Sequence, residues 1–332
     1  MGTPLKSVLS ATRVYHPNRT VVEAVMSDWR WGCFLYGILA VLIADEPAIQ
    51  TANPPDSPVP GTRWALILSG IPGDEQHAAL FQQTATAWEK WLTTDLQFES
   101  SHVLRLPGSA SPTEKPAPLT AEVIRNTLAD LSTKLGERDA LWVFLLGHGN
   151  YDGKHAWFHV EGRDPSQADL GRWLSNIRCR EQVLWLTQAN SGWFVKPLSQ
   201  PGRIVVAATA ADDESNETEF PEALTSVTRL PVEKLDADAD GKVSVAEFFI
   251  AVSAAVLERF AADNRFPTEH AQLDDNGDGL GTEVLALKET LGQGKKVDDS
   301  AEPESDGKPK PKQADGELAR QTFLPFRTPN ER

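Results

Sequence analysis

Asp236, Asp238 and Asp240 occupy alternate positions, Gly241 follows the third, and Glu247 ends the stretch of twelve residues that they open. Calcium is a hard cation that takes six to eight oxygens, and this spacing is that of an EF-hand loop. The three aspartates offer carboxylates. Gly241 permits the sharp turn that brings the later ligands round: the Lys242 carbonyl, Ser244 directly or through a water, and Glu247 with both oxygens. Val243 points inward and anchors the loop. The competing explanation is an Asp-rich surface turn capped by Glu247. It leaves unexplained why carboxylates, glycine and glutamate all fall in register.

A second stretch, Asp274-Asp-Asn276-Gly-Asp278-Gly279, repeats the first half of that pattern. Asp274, Asn276, Asp278 and the Leu280 carbonyl are its candidate ligands. The closing position falls on Leu285, which cannot bind a cation, so Thr282 or Glu283 would have to substitute. The alternative is a solvated Asp/Gly turn. Neighbouring loops of this kind often pair, which favours binding.

The third constellation is Gly147-His148-Gly149 together with Thr187-Gln-Ala189-Asn190-Ser191-Gly192. Each follows an apolar run. In an open α/β sheet, ligands bind outside the carboxyl ends of the strands. Neighbouring strands would therefore turn the histidine and the small-residue turn toward one crevice. Ser191 activated by His148 would make a hydrolase, although no third partner is evident. The plainer alternative makes His148 a hydrogen-bonded crevice histidine and Ser191 part of the turn. His155, His159 and His270 show no metal-ligand spacing.

The elements that must position these residues follow from patterning. Trp64–Leu68, Leu141–Leu146, Val183–Leu186 and Ile204–Ala208 are apolar throughout, and His102–Leu106 is a shorter strand candidate. Asp74 caps a helix reaching about Trp91. Thr120 caps another, with Val123, Leu128, Leu131 and Leu135 at helical spacing, and a third runs from Gln167 to Asn176. Strands apolar on both sides and alternating with helices predict a parallel sheet covered on both faces. The sequence predicts an α/β domain over 62–227, a three-layer sandwich. After it comes a small helical EF-hand-type segment, 228–291, whose strong helix starts at Ala246 and whose entering helix is interrupted by Pro231. Residues 292–332 are charged and poor in large apolar groups, which predicts a disordered tail. Phe323-Leu-Pro-Phe326 is the one group there that could dock.

The His-Gly strand end followed by a small-residue turn resembles the legumain and caspase superfamily of cysteine peptidases, over 62–227. That resemblance implies a caspase-like sandwich with His148 as the general base. It puts the nucleophile at Ala189 by one turn pattern of the family and at Asn190 by another. Neither is a thiol, and Cys179 lies at the opposite end of its strand. The order of the C-terminal segments is similar to bacterial caspase-like proteins that lack the cysteine. The implied protein is a pseudopeptidase that binds calcium, with His148, Ala189, Asn190 and Ser191 vestigial. A peptide or protein partner at the sheet crevice is the further expectation.

A net charge of -15 without a dense Lys/Arg block disfavours nucleic acid and anionic membrane, and suits a chain that holds divalent cations. Two cysteines exclude a disulfide framework. Residues 31–44 are apolar but short for a membrane span, which needs about 20 residues. A start at Met26 would make them the core of a signal peptide, with Arg30 in its n-region. Export, periplasmic or extracellular, or a membrane anchor at the N-terminus is therefore expected for region 1–61, with a cytoplasmic chain left open. The alternative is a buried helix.

Overall fold

The computed structural model describes residues 61–107, 117–293 and 314–327. The apolar stretch 31–44, the start at Met26, the proline linker before residue 61 and most of the charged stretch after Gln293 lie outside them.

The described chain begins with β1 (Arg63–Ser69), α1 (Glu75–Lys90) and β2 (Val103–Leu106). Next come α2 (Ala121–Lys134), β3 (Ala140–Leu146), and the hairpin β4 (Gly149–Tyr151) and β5 (Ala156–Phe158). Then follow α3 (Gln167–Leu174), β6 (Glu181–Leu186), α4 (Gly192–Leu198) and β7 (Arg203–Ala207). The predicted caps are in place. Asp74 accepts a hydrogen bond from the His77 amide at 2.8 Å, and Thr120 accepts one from the Val123 amide at 3.2 Å. Each satisfies an amide that the first helical turn cannot.

The second half adds α5 (Phe220–Val227), α6 (Val232–Leu235), α7 (Val245–Ala262), β8 (Gln272–Asp274), β9 (Thr282–Glu283), α8 (Val284–Gln293) and α9 (Glu317–Gln321). The sheet order is β2-β1-β3-β6-β7-β8-β9. The first five strands are parallel, and β8 and β9 extend the sheet antiparallel.

Alternate strand residues feed two cores, so the molecule has three layers. Leu66, Val143, Leu184 and Val205 pack with residues of α2, α3 and α4. Ile67, Phe144, Trp185 and Val206 pack with residues of α1, α5 and α7. Continuous apolar runs arise because both faces are covered.

Two expectations need correction. Residues 228–291 do not stand apart as a small helical module. Phe248 of α7 is fully buried, stacks on Trp91 at 5.2 Å and meets Trp185 edge-on at 5.5 Å, and β8 lies within the sheet. The last segment is likewise no loose tail over 314–327. Ala319 and Leu324 are buried, and the Leu324 amide bonds the Val243 carbonyl at 2.8 Å. The Val245 amide bonds the Thr322 carbonyl at 2.8 Å, and the Gln97 amide bonds the Pro325 carbonyl at 2.9 Å. A low average hydrophobicity still allows docking when the few apolar residues are buried and the backbone pairs.

Candidate functional site

In the first Asp loop the carboxylate oxygens of Asp236, Asp238 and Asp240 lie within 4.8 Å of one another. Asp238 and Asp240 are exposed and Asp236 is half-buried. Backbone amides fix the aspartates. Gly241 bonds Asp236 Oδ2 at 2.9 Å, Asp240 bonds Asp238 Oδ1 at 3.1 Å, and Lys242 bonds Asp240 Oδ1 at 2.8 Å. Ala239 and Gly241 both take positive φ, 60° and 84°. Glu247 is turned into the loop. Its Oε1 accepts from the amides of Ala237 at 2.8 Å and Asp238 at 3.3 Å, and its Oε2 accepts from the Ser244 hydroxyl at 2.8 Å. Ser244 and Glu247 also form the capping box of α7, which pins the glutamate whether or not a metal is bound. Val243 is buried beneath the loop, and Lys242 lays its ammonium 4.8 Å from the Phe323 ring.

The second loop repeats this backbone position by position. The Gly279 amide bonds Asp274 Oδ2 at 3.0 Å, that of Asp278 bonds Asn276 Oδ1 at 2.8 Å, and that of Leu280 bonds Asp278 Oδ1 at 2.9 Å. Gly277 and Gly279 take φ of 79° and 76°.

Neither Thr282 nor Glu283 closes this loop, and Leu285 points to solvent, 70% exposed. The closing position is held by Asp315, from beyond the undescribed residues 294–313. Its Oδ1 accepts from the amides of Asp275 at 3.2 Å and Asn276 at 3.4 Å, and its Oδ2 accepts from the Thr282 hydroxyl at 2.6 Å. Those donors correspond to Ala237, Asp238 and Ser244, which serve Glu247. Asp275 answers by accepting from the amides of Gly316 at 2.9 Å and Ala319 at 2.7 Å. Asp315 and Asp275 escaped the sequence reading because the partnership is remote. The only local signal was Asp315-Gly316 ahead of a short helical pattern.

The two loops differ in burial. Asp274, Asp275 and Asp315 are 1%, 4% and 6% exposed. Burial raises all three carboxyls, and the charges of Asp274 and Asp275 add to that effect on Asp315, which is pushed up to about 6. Both loops fit a calcium ion in donor chemistry. The first would offer Asp236, Asp238, Asp240, the Lys242 carbonyl, Ser244 and Glu247. The second would offer Asp274, Asn276, Asp278, the Leu280 carbonyl and Asp315.

At the other end of the sheet, β3 and β6 are neighbours, so His148 and the turn 187–192 do share a crevice. Ala189 lines it beside His148. Asn190 takes a positive φ of 57°. Ser191 is fully buried, and its hydroxyl accepts from the Thr209 amide at 3.0 Å and meets the Thr209 hydroxyl at 3.2 Å. It serves the turn. His148 Nε2 faces the Pro72 carbonyl at 3.1 Å, and its ring packs on Phe81 and His77. The space left is about 20 Å³. That holds about one water. Trp193 does not fill it, being stacked on Tyr151 at 4.0 Å.

Sequence reasoning missed two neighbours of His148. His77, in the first turn of α1, sets Nδ1 2.8 Å from Asp74 and Nε2 2.8 Å from Glu217. The hydrogen bond to Asp74 raises its pKa, and the charge of Glu217 adds to this.

No family model and no curated protein matches the chain. Among solved structures, protein GSU0716 from Geobacter sulfurreducens is similar over 64% of this chain and 92% of its own, at 12% identity and a TM-score of 0.36.

Proposed function

We propose that this chain is a calcium-binding protein. One ion is held by Asp236, Asp238, Asp240, Lys242, Ser244 and Glu247. A second is held by Asp274, Asn276, Asp278, Leu280 and Asp315. The carrier is a caspase/legumain-like sandwich without the nucleophilic cysteine, a pseudopeptidase with a binding or scaffold role. The observation that carries the proposal is the repeated closure. Glu247 and Asp315, unrelated in sequence position, accept equivalent hydrogen bonds in two loops of the same backbone form.

The ion would neutralise acids that otherwise repel, and most of all the buried acids of the second loop. The lack of a thiol at Ala189 and Asn190, the buried Ser191 and the small crevice support a role other than peptide hydrolysis. A calcium-rich compartment outside the cytoplasm suits the reading.

Calorimetric titration of the full chain with calcium tests it. Two sites are expected. Asp236→Ala with Glu247→Ala should remove one, and Asp315→Ala should weaken the other. A flat titration of the unaltered protein overturns the proposal.

A further inference from the structure

His77, His148 and Glu217 reach one point from three separated segments: the first turn of α1, the end of β3, and the stretch between β7 and α5. A ring nitrogen of each histidine and a carboxylate oxygen of Glu217 all lie within 4.8 Å of one another. We infer that these three side chains form a binding site for a divalent cation of the zinc class, separate from the calcium loops.

Donor chemistry separates this site from the loops. Two imidazoles and one carboxylate suit zinc and its transition-metal neighbours, whereas calcium takes oxygen alone. Each histidine has one ring nitrogen held by an acceptor. Asp74 Oδ2 accepts from His77 Nδ1 at 2.8 Å, so the ring presents Nε2 toward Glu217, where an incoming ion takes the place of the proton that now joins Nε2 to Oε1 and releases it to solvent. A carboxylate on the far nitrogen is the usual second partner of a metal-binding histidine, fixing both tautomer and ring direction. The Pro72 carbonyl does the corresponding service for His148. A carbonyl only accepts, so His148 Nε2 carries the hydrogen at 3.1 Å, and Nδ1, which keeps the lone pair, would be the donor to an ion.

The distances allow an ion after small movements. A tetrahedral ion about 2.1 Å from each ligand holds them about 3.4 Å apart. His77 Nε2 and Glu217 Oε1, now at 2.8 Å, would open by about half an ångström. Glu217 is free to do so, since its side chain is 57% exposed, while Phe81 backs both histidine rings. The cavity of about 20 Å³ is bordered by His148, Glu217 and Ala189. It borders two of the three ligands, His148 and Glu217, and has room for one water on that side of the site. The arrangement is thus three protein ligands and one open position, the form of a zinc site that can exchange what it binds.

The test uses the full chain saturated with calcium, so that the Asp loops are already filled. It is titrated with cobalt(II) and, separately, by calorimetry with zinc alone. The expected result is one equivalent bound, an intense visible ligand-field band with cobalt, and loss of that band when zinc is added. His77→Ala and His148→Ala should abolish the band, and Asp74→Asn should weaken binding by about tenfold. Glu222→Gln lines the same cavity without being a ligand and should bind as the parent does. Each variant's calcium titration shows whether it has folded. The inference is overturned if the unaltered protein shows no cobalt band and no zinc heat. It is also overturned if His77→Ala, with its calcium titration unchanged, binds as the parent does.

Discussion

Glu247 and Asp315 accept matching hydrogen bonds, yet one belongs to the loop it closes and the other is delivered by a distant segment. The first loop is therefore complete within one local stretch, and two of its aspartates face solvent. The second is complete only when 314–327 is docked, and Asp274, Asp275 and Asp315 are buried there. Exposed carboxylates keep their hydration whether or not a cation comes, whereas buried ones lose it and gain most from a counter-charge. The same segment then runs on to the first loop, where the Leu324 amide bonds the Val243 carbonyl. One strap thus spans both loops: held by side chains at the second, by backbone at the first.

The largest effect should come from removing calcium. A site kept at a hundredfold excess over Kd adds about 2.7 kcal/mol, so two add about 5. For a domain of this size each kcal/mol moves Tm by about 2–4 °C, so a chelator should lower Tm by roughly 10–20 °C. Calorimetric melting with and without chelator measures it. Asp315→Asn should forfeit about half of that calcium-dependent shift and raise amide exchange at Leu324 and Val245. Asp236→Ala should forfeit the other half while leaving the Asp315 contacts in place. An Asp315→Asn chain with the full shift would break the contrast between local and delivered closure.

A middle-sized effect separates acids that a cation can relieve from one that only a proton can. Glu269 precedes β8, takes one amide bond from Glu219 at 2.9 Å on Oε2, and buries Oε1 without a partner among the described residues. Burial, with the charges of Glu219, Glu214 and Glu222 adding to it, pushes its carboxyl from 4.5 to about 8. Between those values the native state keeps a proton that the unfolded chain has released. Stability should therefore fall as pH rises through that window and level off above it. Glu269→Gln should flatten the fall and stabilise the chain above pH 8 by a few kcal/mol, at about 1.4 kcal/mol per unit. Urea unfolding on either side of pH 8, with and without calcium, checks this. A slope that calcium abolishes would place Glu269 with the loop acids after all.

What the sequence disclosed is what depends on neighbours in sequence. Runs such as Leu141–Leu146 read as strands because both faces of the sheet are covered, and Asp74 and Thr120 read as caps because a cap bonds three residues on. The first loop's candidate ligands were all visible in one stretch. Asp315 was not, because nothing near it reveals that it meets Thr282 and Asn276. β8 is three residues long and merges into the second loop, so its place in the sheet left no periodic trace. α9 lay in charged surroundings where average composition hides a single buried Ala319. His77 and Glu217 join His148 only through the turns that follow β1 and β7, and no spacing rule links them.

The smallest expected effect tests whether the loops differ in surroundings as well as in closure. Ala239 and Gly277 hold the same loop position at φ of 60° and 79°. A Cβ on Gly277 would stand 2.8 Å from Pro201 N and 3.0 Å from the Gln200 carbonyl carbon, both backbone atoms that cannot rotate away. Gly277→Ala should therefore combine the left-handed penalty of about 1 kcal/mol with an overlap of similar size, and should weaken calcium at the second loop. Ala239→Gly relieves about 1 kcal/mol of left-handed strain but also frees the unfolded chain, so the two terms cancel to within about 0.5 kcal/mol. Urea unfolding of both variants in chelator isolates these backbone terms from metal binding. Equal and small effects would mean that the second loop is as open as the first, and that its burial adds no constraint beyond Asp315.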